Sequence, residues 1–247
     1  MRISNYPKLI GSFIARYSFE VSATNDDAFG YNDIDYCSAV RSSGTTMFGN
    51  YYLQFDGVDD CLRIDDISNN ERDITFTAES FTIEVWINAT TIEGSKNYAI
   101  LYKGDSSTIY YELYLSGNGK STYFGMRLGT GWTQWISSPT NSIQTNTLYH
   151  ITAIWDENMK KMSLYINGQI VDYYRSSSST ASASDPSTTS LYIGYSPHSS
   201  RDYYSGLIDE VVIFNYPKYL HNDIDGDINP DVYEAESGTN LYDSSDW

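Results

Sequence analysis

The sequence has few basic residues and no long apolar run, and each shortage excludes a class of function. Lys and Arg together number 15 against 32 Asp and Glu, which leaves a net charge of −17 at pH 7. Nucleic acids and anionic lipid surfaces are therefore unsuitable partners, because affinity for either depends on Lys and Arg. No stretch approaches the roughly 18 apolar residues of a membrane-spanning helix. We expect no nucleic-acid partner and no membrane insertion, whereas cations and neutral glycans are compatible with this charge.

Cysteine is also scarce, and its placement argues against a zinc site. The two cysteines, Cys37 and Cys61, belong to no Cys-x-x-Cys motif and have no histidine nearby in the sequence. They form either a disulfide or two independent buried thiols, and the sequence leaves both alternatives open. A disulfide across the 23 intervening residues would stabilise the fold by about 3 kcal/mol.

Catalytic motifs are missing as well. The chain has no Gly-x-Ser-x-Gly nucleophile elbow and no His-Glu-x-x-His zinc motif. Glycoside hydrolysis needs at least two positioned carboxylates. Adjacent acids such as Asp59 and Asp60 would point to opposite faces of an extended strand, so they would not flank one glycosidic bond together. We therefore expect a protein without enzymatic activity.

The dominant pattern in the chain is alternation of apolar and polar residues. In residues 80–89, Phe81, Ile83 and Val85 share one face with Ile87, while the intervening residues share the other. This period of two predicts a half-buried strand. Further strands are predicted within residues 11–20, 51–65, 111–128, 148–174, 189–196 and 207–214. No segment shows helical periodicity, so we predict an all-β protein, a two-sheet antiparallel β-sandwich of the jelly-roll type.

Turn signals and composition divide the chain further. Asn167-Gly168 predicts a type I′ turn between two strands, and Gly117-Asn118-Gly119 predicts a second hairpin. The Ser-rich segment 175–188 is either an exposed loop or locally disordered. We predict one domain over residues 1–220, followed by an acidic C-terminal extension over residues 221–247.

Five segments, taken in order, resemble the laminin-G-like, concanavalin A-like jelly-roll family. They are ARYSFEVSATNDDAFGYND (15–33), FGNYYLQFDGVDDCLRI (48–64), SFTIEVWINA (80–89), LYHITAIWDENMKKMSLYINGQIV (148–171) and YYSGLIDEVVIFNYPKYL (203–220). Together they span roughly residues 12 to 220. The resemblance implies two antiparallel sheets packed face to face. Some members hydrolyse glycans with a Glu-x-Asp-x-x-Glu strand, which this sequence lacks, so the expectation of a non-enzyme stands.

The family resemblance also implies a structural calcium ion near the meeting of the first and last strands. Asp209 would offer a carboxylate there, and Glu20, Asn25 and Asp26 are its candidate companions, together with backbone carbonyls. Calcium takes six to eight oxygen ligands, so Asp209 alone is not a site. The alternative is that Asp209 and Glu210 cap loops or accept backbone hydrogen bonds.

A non-catalytic jelly roll would act by binding, and aromatic side chains near turns are the candidates for sugar contact. Trp132 and Trp135 lie near a Gly-rich turn with Gln134 between them. The full set of candidate ligand-binding residues is Trp132, Gln134, Trp135, Tyr123, Tyr203 and Tyr204. The alternative for the tryptophans is packing in the core or at a sheet edge.

Two functions of different classes follow from these observations. The first is a lectin-like glycan-binding or adhesion module for a glycan or surface polysaccharide, stabilised by calcium. The second is a structural assembly protein, such as a virion, surface-layer or filament subunit, which binds itself or other subunits. Either would place the protein outside the cell, on a cell surface or on a virion, although the apolar stretch in residues 1–19 is too short for a signal peptide.

Overall fold

The computed structural model describes residues 13–19, 34–37, 40–43, 51–65, 74–129, 132–178, 180–185, 189–198 and 201–219. These ranges contain strands and no helix. Among the described residues there is accordingly no helix long and apolar enough to cross a membrane. The chain separates into two compact units, residues 1–217 and residues 218–247. The predicted extension over residues 221–247 lies outside the described residues.

Fifteen strands lie within the described ranges. They are β1 (Phe13–Tyr17), β2 (Ile34–Cys37), β3 (Val40–Ser43), β4 (Tyr51–Asp56), β5 (Cys61–Ile64), β6 (Phe81–Ala89), β7 (Asn97–Gly104), β8 (Ile109–Ser116), β9 (Ser121–Leu128), β10 (Trp132–Ser137), β11 (Leu148–Asp156), β12 (Lys161–Ile166), β13 (Gln169–Arg175), β14 (Leu191–Ile193) and β15 (Ser205–Phe214).

The described strands form two antiparallel sheets, which we call sheet A and sheet B. Sheet A has the order β13-β12-β11-β6-β15-β4-β3, with β1 added beside β15. Sheet B has the order β10-β9-β8-β7-β14-β5-β2. Two sheets of this kind confirm the predicted β-sandwich.

The core lies between the inner faces of the two sheets and follows the predicted alternation. Phe81, Ile83, Val85 and Ile87 of β6 are all buried in it. Phe81 stacks on Phe76 with ring centroids 4.4 Å apart. Burial of such side chains supplies the main driving force for packing the sheets, at about 1.5–3 kcal/mol for each large apolar side chain.

The predicted type I′ turn is present between β12 and β13. Asn167 and Gly168 have φ values of 50° and 78°, and positive φ at both central residues defines this turn.

Of the two alternatives for the cysteines, the structure has the disulfide. Cys61 is disulfide-bonded, and Cys37, the other cysteine of the chain, pairs with it in register across β2 and β5.

Four strands differ from the expectation that the sequence raised, and two of them, β2 and β3, lie where no strand is predicted. Residues 132–137, expected near a turn, form β10, which lies at one end of sheet B and pairs with β9. Residues 97–104, where no strand is predicted, form β7 in the middle of the same sheet. The strand β10 is short and only partly buried, so the apolar alternation that marks a core strand is weak there.

Candidate functional site

The edge strand β10 brings two of the predicted ligand residues onto one face of sheet B. Trp135 pairs with Gly125 and Ser137 pairs with Tyr123, so these four residues point away from the core. The alternate residues Phe124 and Ile136 are buried in the core. The indole of Trp135 is 41% exposed, which is unusual for so large an apolar group in the described residues.

The position of the Trp135 ring is set by the residues beneath it. A Cβ placed on Gly125 would lie 2.3 Å from Trp135 Nε1 and 2.5 Å from its Cδ1, so the indole lies directly over this glycine. Trp135 Nε1 donates a hydrogen bond of 2.9 Å to Oε1 of Glu112 on β8. The ring is therefore held against the sheet while part of its surface stays open to solvent.

Glu112 is a buried carboxylate whose oxygens are both engaged. Arg201 donates from Nη2 to Oε1 at 2.5 Å and from Nε to Oε2 at 2.9 Å. Their side chains are only 1% and 6% exposed. Such a bidentate, charge-assisted ion pair is geometrically specific. It fixes the carboxylate that accepts the hydrogen bond from the Trp135 indole.

Two tyrosines extend this arrangement along sheet B. Tyr114 and Tyr123 are stacked with centroids 4.9 Å apart and planes at 8°. The guanidinium carbon of Arg201 lies 3.9 Å from the centroid of the Tyr114 ring, a cation–π contact. Burial raises the pKa of Tyr114 to about 12, with the negative charge of Glu112 adding to the effect and the positive charge of Arg201 opposing it. We name this group, Glu112, Tyr114, Tyr123, Gly125, Trp135 and Arg201, the Trp135 platform.

The two candidate tyrosines that precede the last strand are placed differently. Tyr204 is fully buried, meets Phe55 edge to face at 6.0 Å and donates from its hydroxyl to the Leu207 carbonyl at 3.3 Å. Its role is therefore packing in the core. Tyr203 is partly exposed and stacks on Tyr195 at 4.7 Å. The structure thus separates Tyr203 from Tyr204, because adjacent residues of an extended chain point in opposite directions.

Gln134 faces away from Trp135, into a cleft where the edges of the two sheets meet. Beside this cleft, but outside its described lining, Asp172 of β13 accepts a hydrogen bond of 2.9 Å from the Ser137 backbone N–H. The cleft has a volume of about 400 Å³, within the range of small-molecule sites. Its described lining is Leu128, Gly129, Thr133, Gln134, Tyr174, Ser176, Ser178, Thr180 and Ala181. Trp132 belongs to β10, but its side chain lies outside what the structure describes.

The lower rim of this cleft is a Ser/Thr strap, which we define as residues 176–178 and 180–185. Glu157 accepts hydrogen bonds from Ser182 Oγ at 2.6 Å and from the Ala183 N–H at 3.3 Å. It also accepts one from Trp155 Nε1 at 2.8 Å and forms an ion pair with Lys160. In the described part of the Ser-rich segment, Ser177, Ser178 and Thr180 are exposed as a loop would be, whereas Ala183 and Asp185 are buried.

The predicted calcium ligands are only partly within the described residues. Asp209 is fully buried at a β-bulge, where its Oδ1 accepts a hydrogen bond of 2.8 Å from the Glu210 N–H. This is the backbone-acceptor role that the sequence left open as an alternative. Glu20, Asn25 and Asp26 lie outside the described residues.

A second group of carboxylates, Asp56, Asp59 and Asp60, has oxygens within 4.8 Å of one another.

A depression on the outer face of sheet A was not anticipated from the sequence. Its volume is about 350 Å³, and it is lined by Arg16, Glu84, Trp86, His150, Glu210 and Val212. The rings of Trp86 and His150 lie 4.8 Å apart. The alternation of β6 does place Glu84 and Trp86 on the face opposite the core, and this is the one signal in the sequence that points to them.

Comparison with protein families identifies the class of protein. A model of the concanavalin A-like lectin/glucanases superfamily, in its laminin G type 3 branch, matches residues 56–219. This match covers more than half of the chain, and the chain therefore belongs to this superfamily. The resemblance to laminin-G-like, concanavalin A-like domains is confirmed. No curated protein matches the sequence significantly.

Solved structures share the fold at low sequence identity. The binding domain of Paraclostridial Mosquitocidal Protein 1 has a TM-score of 0.65 and 16% identity, covering 84% of this chain and 50% of that one. Domain 4 of AbnA, an extracellular GH43 arabinanase from Geobacillus stearothermophilus solved with arabinotriose, has a TM-score of 0.61 and 14% identity, covering 84% and 94%. The binding domain of botulinum neurotoxin DC solved with SialylT has a TM-score of 0.62 and 15% identity, covering 84% and 49%. This chain thus spans about half the length of the two toxin domains.

Proposed function

We propose that this protein is a non-catalytic carbohydrate-binding module and that a sugar ring stacks on the Trp135 platform. The observation that carries the proposal is a half-exposed indole held in one place, over Gly125 and against Glu112. A rigid aromatic surface loses little conformational entropy on binding, so the contact energy is retained as affinity. The ligands in two structural neighbours, arabinotriose and SialylT, support a glycan as the class of ligand.

The state of Glu112 supports binding rather than hydrolysis. A general acid in a glycosidase must hold and release a proton at the glycosidic oxygen. Here both oxygens of Glu112 accept hydrogen bonds from Arg201, and one also accepts from Trp135. A carboxylate so engaged serves to position the indole, and we assign it no catalytic step.

We further propose a structural calcium ion beside Asp209. The donor set fits in type, because a buried carboxylate is a hard oxygen ligand, but calcium needs six to eight such oxygens. Glu20, Asn25, Asp26 and backbone carbonyls would supply the others. The bound ion would add rigidity between the first and last strands. Calorimetry in calcium and in EDTA tests this: Tm should rise with calcium in the wild type and not in Asp209→Asn, and an unchanged wild-type Tm would refute it.

We also propose that the protein works outside the cell, on a cell surface or on a virion. The disulfide at Cys61 supports this location, because disulfides persist in oxidising environments and are rare in reducing ones.

Binding of the purified chain to a glycan array, in calcium and again in EDTA, tests the function. We expect specific binding, and we expect Trp135→Ala to weaken it at least tenfold, because a central Trp commonly contributes about 2 kcal/mol or more. Tyr173→Ala is the matched control, since Tyr173 is 63% exposed on β13, outside the platform. An array without any specific binding would refute the proposal and favour the assembly protein instead.

A further inference from the structure

We propose that the ligand is an extended, uncharged glycan chain, and that the cleft between β10, β13 and the Ser/Thr strap holds the sugar units beyond the one on Trp135. This inference rests on the proposed function and adds the chemical class and length of the ligand. Three observations lead to it: the chemistry of the cleft, its continuity with the platform, and the anchoring of its rim.

The described lining of the cleft carries no charged side chain. Hydroxyl and amide groups line it, together with the apolar Leu128; the polar ones are Thr133, Gln134, Tyr174, Ser176, Ser178 and Thr180. This is notable in a chain with a net charge of −17. Neutral groups that both donate and accept hydrogen bonds match the hydroxyls of a neutral sugar. A carboxylated sugar would find no cation in this lining to balance its charge.

The cleft and the platform are joined through β10. Thr133 lines the cleft, and alternation along the strand places its side chain on the same face as that of Trp135, two residues further on. Two residues of a strand span roughly 6–7 Å. The cleft also takes Gln134 from the opposite face of β10, so it opens at the free edge of this strand in the described sheet. A chain stacked on Trp135 and directed towards Thr133 therefore reaches the cleft by passing over the edge of β10.

The rim of the cleft is anchored rather than loose. The four groups that converge on the Glu157 carboxylate include Ser182 and Ala183 of the strap. The Gly129 N–H also donates to the Ser182 carbonyl at 2.9 Å, and the Ser184 N–H donates to the Arg127 carbonyl at 3.2 Å. These bonds fix the strap at residues 182–184, next to Thr180 and Ala181 of the lining, so ordering this side of the cleft on binding costs little affinity.

Calorimetric titration with glycans of increasing length tests the inference. The probes are the dimer, trimer and hexamer of linear arabinan, cellulose, mannan and maltose series, with sialyllactose as a charged probe. We expect the wild type to bind the hexamer of one neutral series at least tenfold more tightly than its dimer. Thr133→Val and Gln134→Ala each should lower this ratio about three- to tenfold, the effect of one lost hydrogen bond. Tyr173→Ala is the control and should keep the wild-type ratio, and melting curves check that each variant is folded.

The outcomes separate the inference from the proposed function. If dimer and hexamer bind equally, or if both cleft variants keep the wild-type ratio, the cleft takes no part and the inference is overturned while the platform stands. If sialyllactose binds more tightly than every neutral probe, the uncharged class is wrong. If no probe binds and the glycan array also shows no specific binding, the proposed function fails and the inference falls with it.

Discussion

Glu112 and Arg201 determine how Trp135 is held, and their interaction is the main feature at the scale of single residues. Two charges taken out of water are costly, and the pair is tolerated because each partner satisfies the other with hydrogen bonds of 2.5 and 2.9 Å. The same carboxylate accepts from the indole N–H of Trp135. The buried ion pair thus fixes the position of the Glu112 carboxylate, and this carboxylate holds the exposed ring of Trp135 in place.

Arg201→Met should destabilise the protein by about 3–5 kcal/mol, because it leaves the Glu112 charge buried without its partner. Urea denaturation measures the change. The double variant Arg201→Met with Glu112→Gln removes both charges and should recover much of the loss. A double variant as unstable as the single one would show that the buried charge is not the cause.

Gly125→Ala should disturb the platform while the sandwich stays folded. The added Cβ would lie 2.3 Å from Trp135 Nε1, so the indole must move and its hydrogen bond to Glu112 must lengthen. Overpacking of this kind costs about 1–3 kcal/mol. Glycan affinity should fall nearly as far as in Trp135→Ala, and the fluorescence emission of the protein should shift. Wild-type affinity in the folded variant would contradict the placement of the ring over Gly125.

At the scale of secondary-structure elements, β15 and the Ser/Thr strap show why acidic residues occur at buried places. β15 carries a bulge between Asp209 and Val212, with Glu210 at φ 46°. Asp209 accepts the Glu210 N–H, and Glu210 in turn receives two hydrogen bonds of 3.0 Å from Arg16 of β1. The acidic pair therefore stabilises the irregular point of the strand and fastens β1 to it.

The strap should be held less firmly in acid, because its side-chain hydrogen bonds to Glu157 add to the backbone hydrogen bonds that also fix it. Burial alone would raise the pKa of Glu157, but the hydrogen bonds from Lys160, Ser182 and Trp155 outweigh it, so the pKa is lowered. A lowered folded-state pKa gives stability that is present above the unfolded pKa of about 4.3 and is lost as pH falls through the folded value.

Unfolding free energies of the wild type and Glu157→Gln, measured in urea from neutral pH down to pH ~3, test this assignment. The wild type should be more stable at neutral pH, and the difference should shrink on acidification below the unfolded pKa of Glu. A constant difference across this range would mean that the carboxylate charge does not hold the strap.

At the scale of the whole molecule, two sheets bury one core. In sheet B, the disulfide joins the end of β2 to the start of β5. Cys37 and Cys61 are register partners at the edge strand β2 and its neighbour β5. Among the described strands, β2 has a sheet neighbour on one side alone, so a covalent link to β5 adds support to an edge strand.

Reduction of the disulfide should lower the free energy of unfolding by about 3 kcal/mol, through the greater freedom of the unfolded chain. For a protein of this size that corresponds to a decrease in Tm of about 6–12 °C. Calorimetry with and without a reducing agent measures it, and Cys61→Ser should show the same decrease without reductant. An unchanged Tm in both would mean that the link contributes nothing to stability.

Much of the fold could be predicted from the sequence, and the candidate site only in part. Alternation in β6 and the Asn167-Gly168 turn are local signals, so both were readable without the structure. The strand β7 was missed although its residues are almost all buried. A central strand that is covered on both faces lacks the alternation of apolar and polar residues that identifies a half-buried strand. Its sequence is then a continuous apolar run, which periodicity alone does not identify as a strand.

The sequence by itself determined the sandwich, because periodicity of two and turn chemistry act between neighbouring residues and need no long-range contact. It also supplied Trp135 and Gln134 as candidates. Only the tertiary structure decided that these neighbours serve different surfaces, that Tyr204 belongs to the core, and that Arg201 reaches Glu112 from 89 residues away. Those contacts depend on how separate strands align across a sheet and on which loop covers it, and residue spacing along the chain does not record either.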